Sequence, residues 1–205
     1  MRRSKAEAAI TRDNLLTAAE QLFAENGIHN TRLSDVAASA GVTRGAIYWH
    51  FKNKDELIGA MIDRLSTPLE QAMQSLLKDA AAGRMTLQAL TDTLLASYQR
   101  LLEAPTTEQI TRFAMRYSLC HESPAVNQQL QKNRQQNVDT LTQIMRYAQQ
   151  HGLVRRDCSD RQLALYVRGQ MMGIYHQQLS SPDIYTQGLA DIRNSLELLF
   201  TGLHP

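Results

Sequence analysis

Leu33-Ser34-Asp35-Val36-Ala37-Ala38-Ser39-Ala40-Gly41-Val42-Thr43-Arg44-Gly45-Ala46-Ile47-Tyr48-Trp49-His50 reads as two short helices hinged on a glycine turn. Leu33, Val36, Ala37 and Ala40 recur at helical spacing, Gly41-Val42 turns the chain, and Thr43 is placed to cap a helix from Arg44 to about His50. A helix this short buries too little to stand alone, so it must lean on neighbours. One neighbour is the helix before it, with Leu15, Ala18, Leu22 and Phe23 on one stripe. That helix stops at Asn26-Gly27, where Gly27 suits a left-handed position and Ile28 can close on Phe23. Three such helices make the tri-helical helix-turn-helix scaffold. With successive residues turned by about 100°, Arg44, Gly45 and Tyr48 share one arc of the third helix and Ala46, Ile47 and His50 lie on the other side. One face can therefore be buried while the other enters a major groove. Arg44 offers a donor fork suited to guanine O6 and N7, Gly45 lets the backbone come close, and Tyr48 brings a ring and a hydroxyl. Thr43 at a helix N-terminus and Lys54 at the start of the next helix are placed to meet phosphates.

The run Gly41-Val42-Thr43-Arg44-Gly45-Ala46-Ile47-Tyr48-Trp49-His50-Phe51-Lys52-Asn53-Lys54, with Leu33-Ser34-Asp35-Val36-Ala37 before it, closely resembles the signature of the TetR family of bacterial transcriptional regulators. The resemblance covers roughly residues 8 to 64 and is most similar, over Arg44 to Phe51, to the multidrug-efflux repressors typified by AcrR and TtgR. It implies base contacts near Ser34, Arg44, Gly45 and Tyr48, and phosphate contacts from Thr43, Trp49, His50 and Lys54. Arg32 departs from the pattern by standing where these relatives carry a capping Ser or Thr. The cap is then expected to pass to Thr31, with Arg32 able to add a phosphate contact. Beyond that segment the resemblance is architectural, apart from Cys120-His121-Glu122, which loosely echoes a Cys-Glu at the end of the sixth helix in that branch.

The rest of the chain carries helical periodicity almost throughout and no alternating strand pattern, so the expected fold is all-α with about nine helices. The expected organisation is a DNA-binding domain over residues 1–54, its helix-turn-helix at about 32–50, and a ligand-binding and dimerisation domain over residues 55–205. Asn53 and Glu56 form a capping-box variant opening a long helix, which Pro68 is expected to kink. Ala80-Ala81-Ala82-Gly83 reads as a loop, and Thr86 caps a helix with Leu87, Leu90, Leu94, Tyr98 and Leu101, ended by Ala104-Pro105. A helix with Ile110, Phe113, Tyr117 and Cys120 follows, and Ser123-Pro124 opens another that closes at His151-Gly152. Ser159 or Asp160 starts a helix with Leu163, Tyr166, Val167, Met171 and Ile174, and the last carries Tyr185, Leu189, Ile192, Leu196 and Leu199.

Charge is distributed in keeping with this organisation. The chain has a net charge of +2, of which residues 1 to 54 hold +3 and the remainder −1. A positive head on a near-neutral body suits phosphate attraction by one end. No apolar run approaches the roughly 20 residues a membrane span needs, no secretory leader follows the basic Met1-Arg2-Arg3-Ser4-Lys5, and a cytoplasmic protein is expected. Two cysteines, Cys120 and Cys158, make no disulfide framework. Adjacent Cys120, His121 and Glu122 point about 100° apart on a helix without a partner one turn on, so neither a metal site nor a cofactor is expected.

A single short reading helix gains greatly from a second copy on a palindromic site, so a homodimer is expected on a double-stranded DNA operator. Gly169 and Gly173, one turn apart, leave a strip for close helix approach, and Leu189, Ile192 and Leu196 give the last helix an apolar stripe; these five are the expected dimer contacts. Tyr98, Phe113, Tyr117, Met145 and Met171 suit loose recognition of an apolar, aromatic or cationic small molecule. Arg134 and Asn137 join that candidate ligand set, because they interrupt the stripe set by Val126, Leu130, Leu141 and Ile144. The expected function is a repressor released by a small-molecule inducer, controlling an efflux or detoxification gene. The alternatives are a helical small-molecule-binding protein and a ligand-dependent activator. An enzyme is not expected, because no metal spacing, phosphate loop or nucleophile motif stands in the chain.

Overall fold

The computed structural model describes residues 5–103, 105–120, 123–184 and 187–204. Nine α-helices stand among them: α1 (Lys5–Asn26), α2 (Leu33–Ser39), α3 (Arg44–His50), α4 (Lys54–Ala81), α5 (Leu87–Glu103), α6 (Pro105–Cys120), α7 (Pro124–Gln150), α8 (Asp160–Ser180) and α9 (Leu189–Thr201), with a 3-10 turn at Pro182–Ile184. The all-α class is thus the observed one. Tyr185, Ala104, His121 and Glu122 lie outside the described residues, as do the side chains of Leu101 and Cys120.

The helix ends follow from local chemistry. Gly27 holds a φ of 78° and its N–H donates to the Phe23 carbonyl at 3.1 Å, closing α1. At the end of α2, Gly41 has a φ of 67°; its N–H reaches Ala38 at 3.1 Å while the Val42 N–H reaches Ala37 at 2.9 Å, the paired bonds of a Schellman stop. Asn53 Oδ1 accepts from the Glu56 N–H at 2.9 Å at the start of α4. The Glu56 carboxylate returns a bond to the Lys52 N–H at 2.7 Å, one residue before the cap. Thr86 accepts from Ala89 at 3.1 Å, Ser123 from Val126 at 3.3 Å and Ser159 from Gln162 at 3.2 Å, opening α5, α7 and α8.

One expectation about breaks is corrected: α4 takes in Ala80 and Ala81, so the expected loop shrinks, and the helix is unbroken through Pro68. An internal proline costs about 3 kcal/mol. Met73 and Leu76, both buried beyond it, each contribute about 1.5–3 kcal/mol, enough to hold the helix together.

The chain forms two compact units. The first comprises the residues up to Leu65 with Gln109–Gln131, the second Ser66–Glu108 with Lys132–Pro205. In the first, Leu15, Ala19 and Phe23 of α1 share a core with Val36 and Ala37 of α2, Ile47 of α3 and Phe51. Leu57, Ile58, Met61 and Ile62 of α4 complete it, with Ile110, Tyr117, Val126 and Leu130. The first turns of α4 therefore belong to the packing that holds the reading helix, although that helix ends at His50. The second core joins Met73, Leu90, Leu94, Tyr98, Ile144, Met145, Leu163, Val167, Ile192 and Leu196.

Candidate nucleic-acid interface

The third helix is positioned from both ends. Thr43 caps it by accepting from the Ala46 N–H at 3.2 Å, and Phe51, fully buried, closes it with an N–H bond to Ile47 at 2.8 Å. Ile47 is 0% exposed and anchors the helix to α1, α2 and α4 through their shared core. Anchoring one side leaves the other outward: Arg44 and Gly45 are exposed, Tyr48 is 44% exposed and Trp49 is 74% exposed. Ala46 and His50 are half-buried, as the 100° arithmetic requires. The Arg44 guanidinium lies 5.8 Å from the centre of the Tyr48 ring, so the two side chains form one cation-π unit on the outer face. Trp49 stands edge-on to the His50 ring at 4.6 Å.

The flanking residues are placed differently. Ser34 is half-buried on α2, its hydroxyl 3.5 Å from Asp35. Arg32 is exposed and occupies the N-cap position of α2. Arginine has no acceptor, so the end is closed from the other side, by the Asp35 carboxylate accepting from the Arg32 N–H at 2.8 Å. The cap does not pass to Thr31. That residue is buried, and its hydroxyl donates to the Gly27 carbonyl at 2.9 Å, tying the loop back to the end of α1. Lys54 is half-buried with its ammonium 5.9 Å from the Phe23 ring centre; burial lowers its pKa from the ordinary lysine value, and Asp55 beside it works against the shift.

The candidate ligand residues divide between the two units. Phe113, half-buried, and Tyr117, buried, sit in the first, their rings 4.1 Å apart. Tyr98, Met145 and Met171 lie in the core of the second, where the Tyr98 hydroxyl donates to the Met171 carbonyl at 2.8 Å and its ring stacks on Tyr175 at 4.3 Å. The Tyr175 hydroxyl donates to Ser97 at 2.9 Å. Arg134 and Asn137 are half-buried on the part of α7 that belongs to the second unit. Gln178 Oε1 on α8 is buried without a hydrogen-bond partner among the described residues.

The five expected dimer residues also part company. Gly169 and Gly173 are exposed, and a Cβ at either would meet nothing within 4 Å, so neither eases packing inside the chain. Ile192 and Leu196 are fully buried in the chain's own second core and Leu189 packs against it, so that stripe of α9 is turned inward. Sequence reasoning passed over the outward residues instead. Leu165, Tyr166 and Met172 of α8 and Leu198 of α9, at 73%, are exposed large apolar side chains. Tyr166, expected on the inward stripe, is among them. The available signal was that α8 carries apolar residues on two faces.

No helix among the described residues is long and apolar enough to cross a membrane. A model of the bacterial regulatory proteins of the tetR family matches residues 15–61. The HTH-type transcriptional regulator AcrR of Shigella flexneri is 30% identical over 189 residues, spanning 90% of this chain and 85% of its own. A probable acrEF/envCD operon repressor of Escherichia coli (strain K12) is 29% identical over 201 residues, spanning 96% and 90%. Among solved structures, a complex of SmeT with triclosan superposes with a TM-score of 0.83 at 26% identity, over 96% of this chain and 92% of SmeT. SmeT is the repressor of the Stenotrophomonas maltophilia multidrug efflux pump SmeDEF.

Proposed function

The chain belongs to the TetR family of bacterial transcriptional regulators, in the branch that includes AcrR, and from that premise we propose that it binds a two-fold symmetric operator as a dimer, represses the adjacent gene and is released by a small-molecule inducer. It regulates transcription and is not an enzyme. The observation that carries the reading is the outer face of α3. A single short helix presents Arg44, Gly45, Tyr48 and Trp49 to solvent while Ile47 anchors it from behind. A tryptophan three-quarters exposed beside an exposed tyrosine is poor surface design unless something covers it. A major groove covers it well: Arg44 then forks onto a guanine, Gly45 admits the backbone, and Tyr48 reaches a base methyl or a phosphate. Thr43, Trp49, His50 and Lys54 flank that face as phosphate contacts, with Ser34 near the bases and Arg32 beside α2 as a further phosphate contact.

Residues 1–54 carry the reading function and residues 55–205 the pairing and sensing. Pairing runs along the outward strip of α8, where Leu165, Met172 and the two bare glycines allow a second helix to approach closely, joined by Leu198 of α9. The dimer sets its reading helices about 34–36 Å apart, one turn of duplex. An inducer in the body selects another spacing, and a coupling of about 1–3 kcal/mol suffices for roughly 5- to 150-fold release. Among the relatives, SmeT represses a multidrug efflux pump, and control of an efflux or detoxification gene is the reading we adopt here. Tyr98, Arg134, Asn137, Met145 and Met171 of the second unit are one set of candidate sensing residues, and Phe113 and Tyr117 of the first unit are a separate one.

Footprinting the full chain on the DNA flanking its own gene, with and without a panel of aromatic compounds, tests the proposal. A two-fold symmetric footprint that one compound class erases is the expected result. Protection without symmetry, or a footprint that no bound compound alters, contradicts dimeric repression or ligand release respectively.

A further inference from the structure

Arg64 is the point where α4 meets α1 through charge. It continues the α4 stripe of Leu57, Ala60 and Met61, all buried in the first core, and stands one residue before Leu65, where α4 leaves the first unit. Its guanidinium donates to the Thr17 hydroxyl at 3.0 Å and lies 3.6 Å from the Glu20 carboxylate and 3.8 Å from that of Asp13. Asp13, Thr17 and Glu20 follow one another on α1 at steps of four and three residues, so they form a single polar stripe about 10 Å long. One arginine therefore spans two turns of the neighbouring helix, seated on the middle residue with a carboxylate on either side. The two carboxylates are unequal. The Glu20 side chain is 13% exposed and that of Asp13 65%, so solvent screens the second far more than the first. Burial pushes the Glu20 carboxyl up, and the Arg64 charge works against that rise. The residue before it, Asp63, accepts from Gln129 of α7 at 2.6 Å, so adjacent residues tie this turn of α4 to α1 and to α7.

Such a clamp adds little to stability, because ion pairs open to solvent contribute little. Its effect is on geometry. Apolar packing along Leu57 and Met61 is non-directional and tolerates small slides and tilts, whereas a hydrogen-bonded fork is satisfied best in one register. We infer that Arg64 is a positioning residue for operator reading: its fork on Asp13, Thr17 and Glu20 fixes the direction in which α4 leaves the reading unit, and with it the spacing of the two reading helices in the dimer. α1, α3 and the first turns of α4 share one core, so an angle set between α1 and α4 is passed to α3. The inference rests on the dimeric reading proposed above, and Asp13, Thr17, Glu20 and Arg64 are not among the residues placed against DNA.

The experiment measures the affinity of the full chain for the footprinted operator, for operators with one base pair inserted or removed between the half-sites, and for a single half-site. Wild type is expected to prefer the native spacing. Arg64→Gln is expected to lower that preference roughly threefold or more, Glu20→Gln less and Asp13→Asn least, an order set by how far each carboxylate is withdrawn from solvent. Single half-site affinity and the slope of log affinity against log salt stay at wild-type values, and the melting temperature falls by only about 2–4 °C. Exchanging the charges, in Glu20→Arg with Arg64→Glu, restores most of the preference that Arg64→Glu alone removes. A preference for the native spacing that survives Arg64→Gln overturns the inference, and so does an equal loss of affinity for every operator, which assigns Arg64 to stability alone. A salt slope reduced by about 1 overturns it as well, by making Arg64 a phosphate contact. Should Arg64→Gln fail to fold, Glu20→Gln and the charge exchange carry the same test. A wild type indifferent to spacing fails in a different place: it removes the dimeric reading and this inference together.

Discussion

Arg44 and Tyr48 are exposed for the same reason that Ile47 is not: a seven-residue helix has one buried side, and the next residues round the turn have nowhere to go but out. That much was legible from spacing, because the angular offset between neighbouring residues is fixed by the helix itself. The position of Lys54 was not legible. Spacing put it at the start of α4, but its ammonium lies back over Phe23 at the end of α1, an aromatic contact that depends on how two distant segments meet. A phosphate contact then requires the side chain to swing outward, giving up a weak cation-π attraction for a charge-assisted bond. Lys54→Ala is expected to weaken binding to all duplexes alike and to reduce the slope of log affinity against log salt by about 1, read from titrations at several salt concentrations. Thr31 and Arg32 mark another limit. A buried threonine between two helices has acceptors on both sides, and only the packed structure shows that it turns to the Gly27 carbonyl and leaves α2 to Asp35.

Helix starts and stops read well from the sequence, because a cap is a local bargain between a side chain and the first free N–H groups. Asn53, Thr86, Ser123 and Ser159 all do what their positions imply. Ser123 does more, donating to Asp55 at 2.7 Å and so tying the start of α7 to the start of α4 within the first unit. Gly41 is the cap on which the reading helix most depends, since its left-handed turn sets the angle between α2 and α3. A Cβ there would touch nothing within 4 Å, so the cost of Gly41→Ala is purely one of backbone conformation. It is expected to lower stability by about 1–2 kcal/mol, seen in urea as a lower midpoint at unchanged slope. A proline inside a helix reads less fully. Pro68 signals a kink, and the apolar residues that keep α4 helical beyond it act through a core assembled from α5, α7, α8 and α9.

At the scale of the molecule, periodicity identifies an inward face without saying which interior it faces. Phe113 and Tyr117 look equivalent to Tyr98 and Met171 in the sequence, yet they pack in different units, because the chain crosses between the two units within α4 and again along α6 and α7. The same ambiguity misassigned α9, where Ile192 and Leu196 fill the chain's own core and only Leu198 remains outside. Pairing through α8 makes a sharp demand on Met172, which is 39% exposed beside Gly169 and Gly173. Met172→Glu is expected to leave the monomer folded, because the side chain already meets solvent, and to shift sedimentation from dimer to monomer at micromolar concentration. Operator affinity should then fall by roughly a hundredfold or more as the advantage of two linked heads is lost. A Met172→Glu protein that remains dimeric places the interface elsewhere.

The central claim is that side chains at positions 44 to 48 read base edges, and the specificity ratio tests it most directly. Affinities of wild type, Arg44→Ala and Tyr48→Ala are measured for the footprinted operator and for a scrambled duplex of equal length at one salt concentration. Loss of a two-point guanine contact is worth about 1–3 kcal/mol per site, so Arg44→Ala should lower operator affinity at least roughly tenfold while affinity for the scrambled duplex changes far less. An Arg44→Ala, Tyr48→Ala double variant that still prefers the operator by the wild-type ratio would contradict the account.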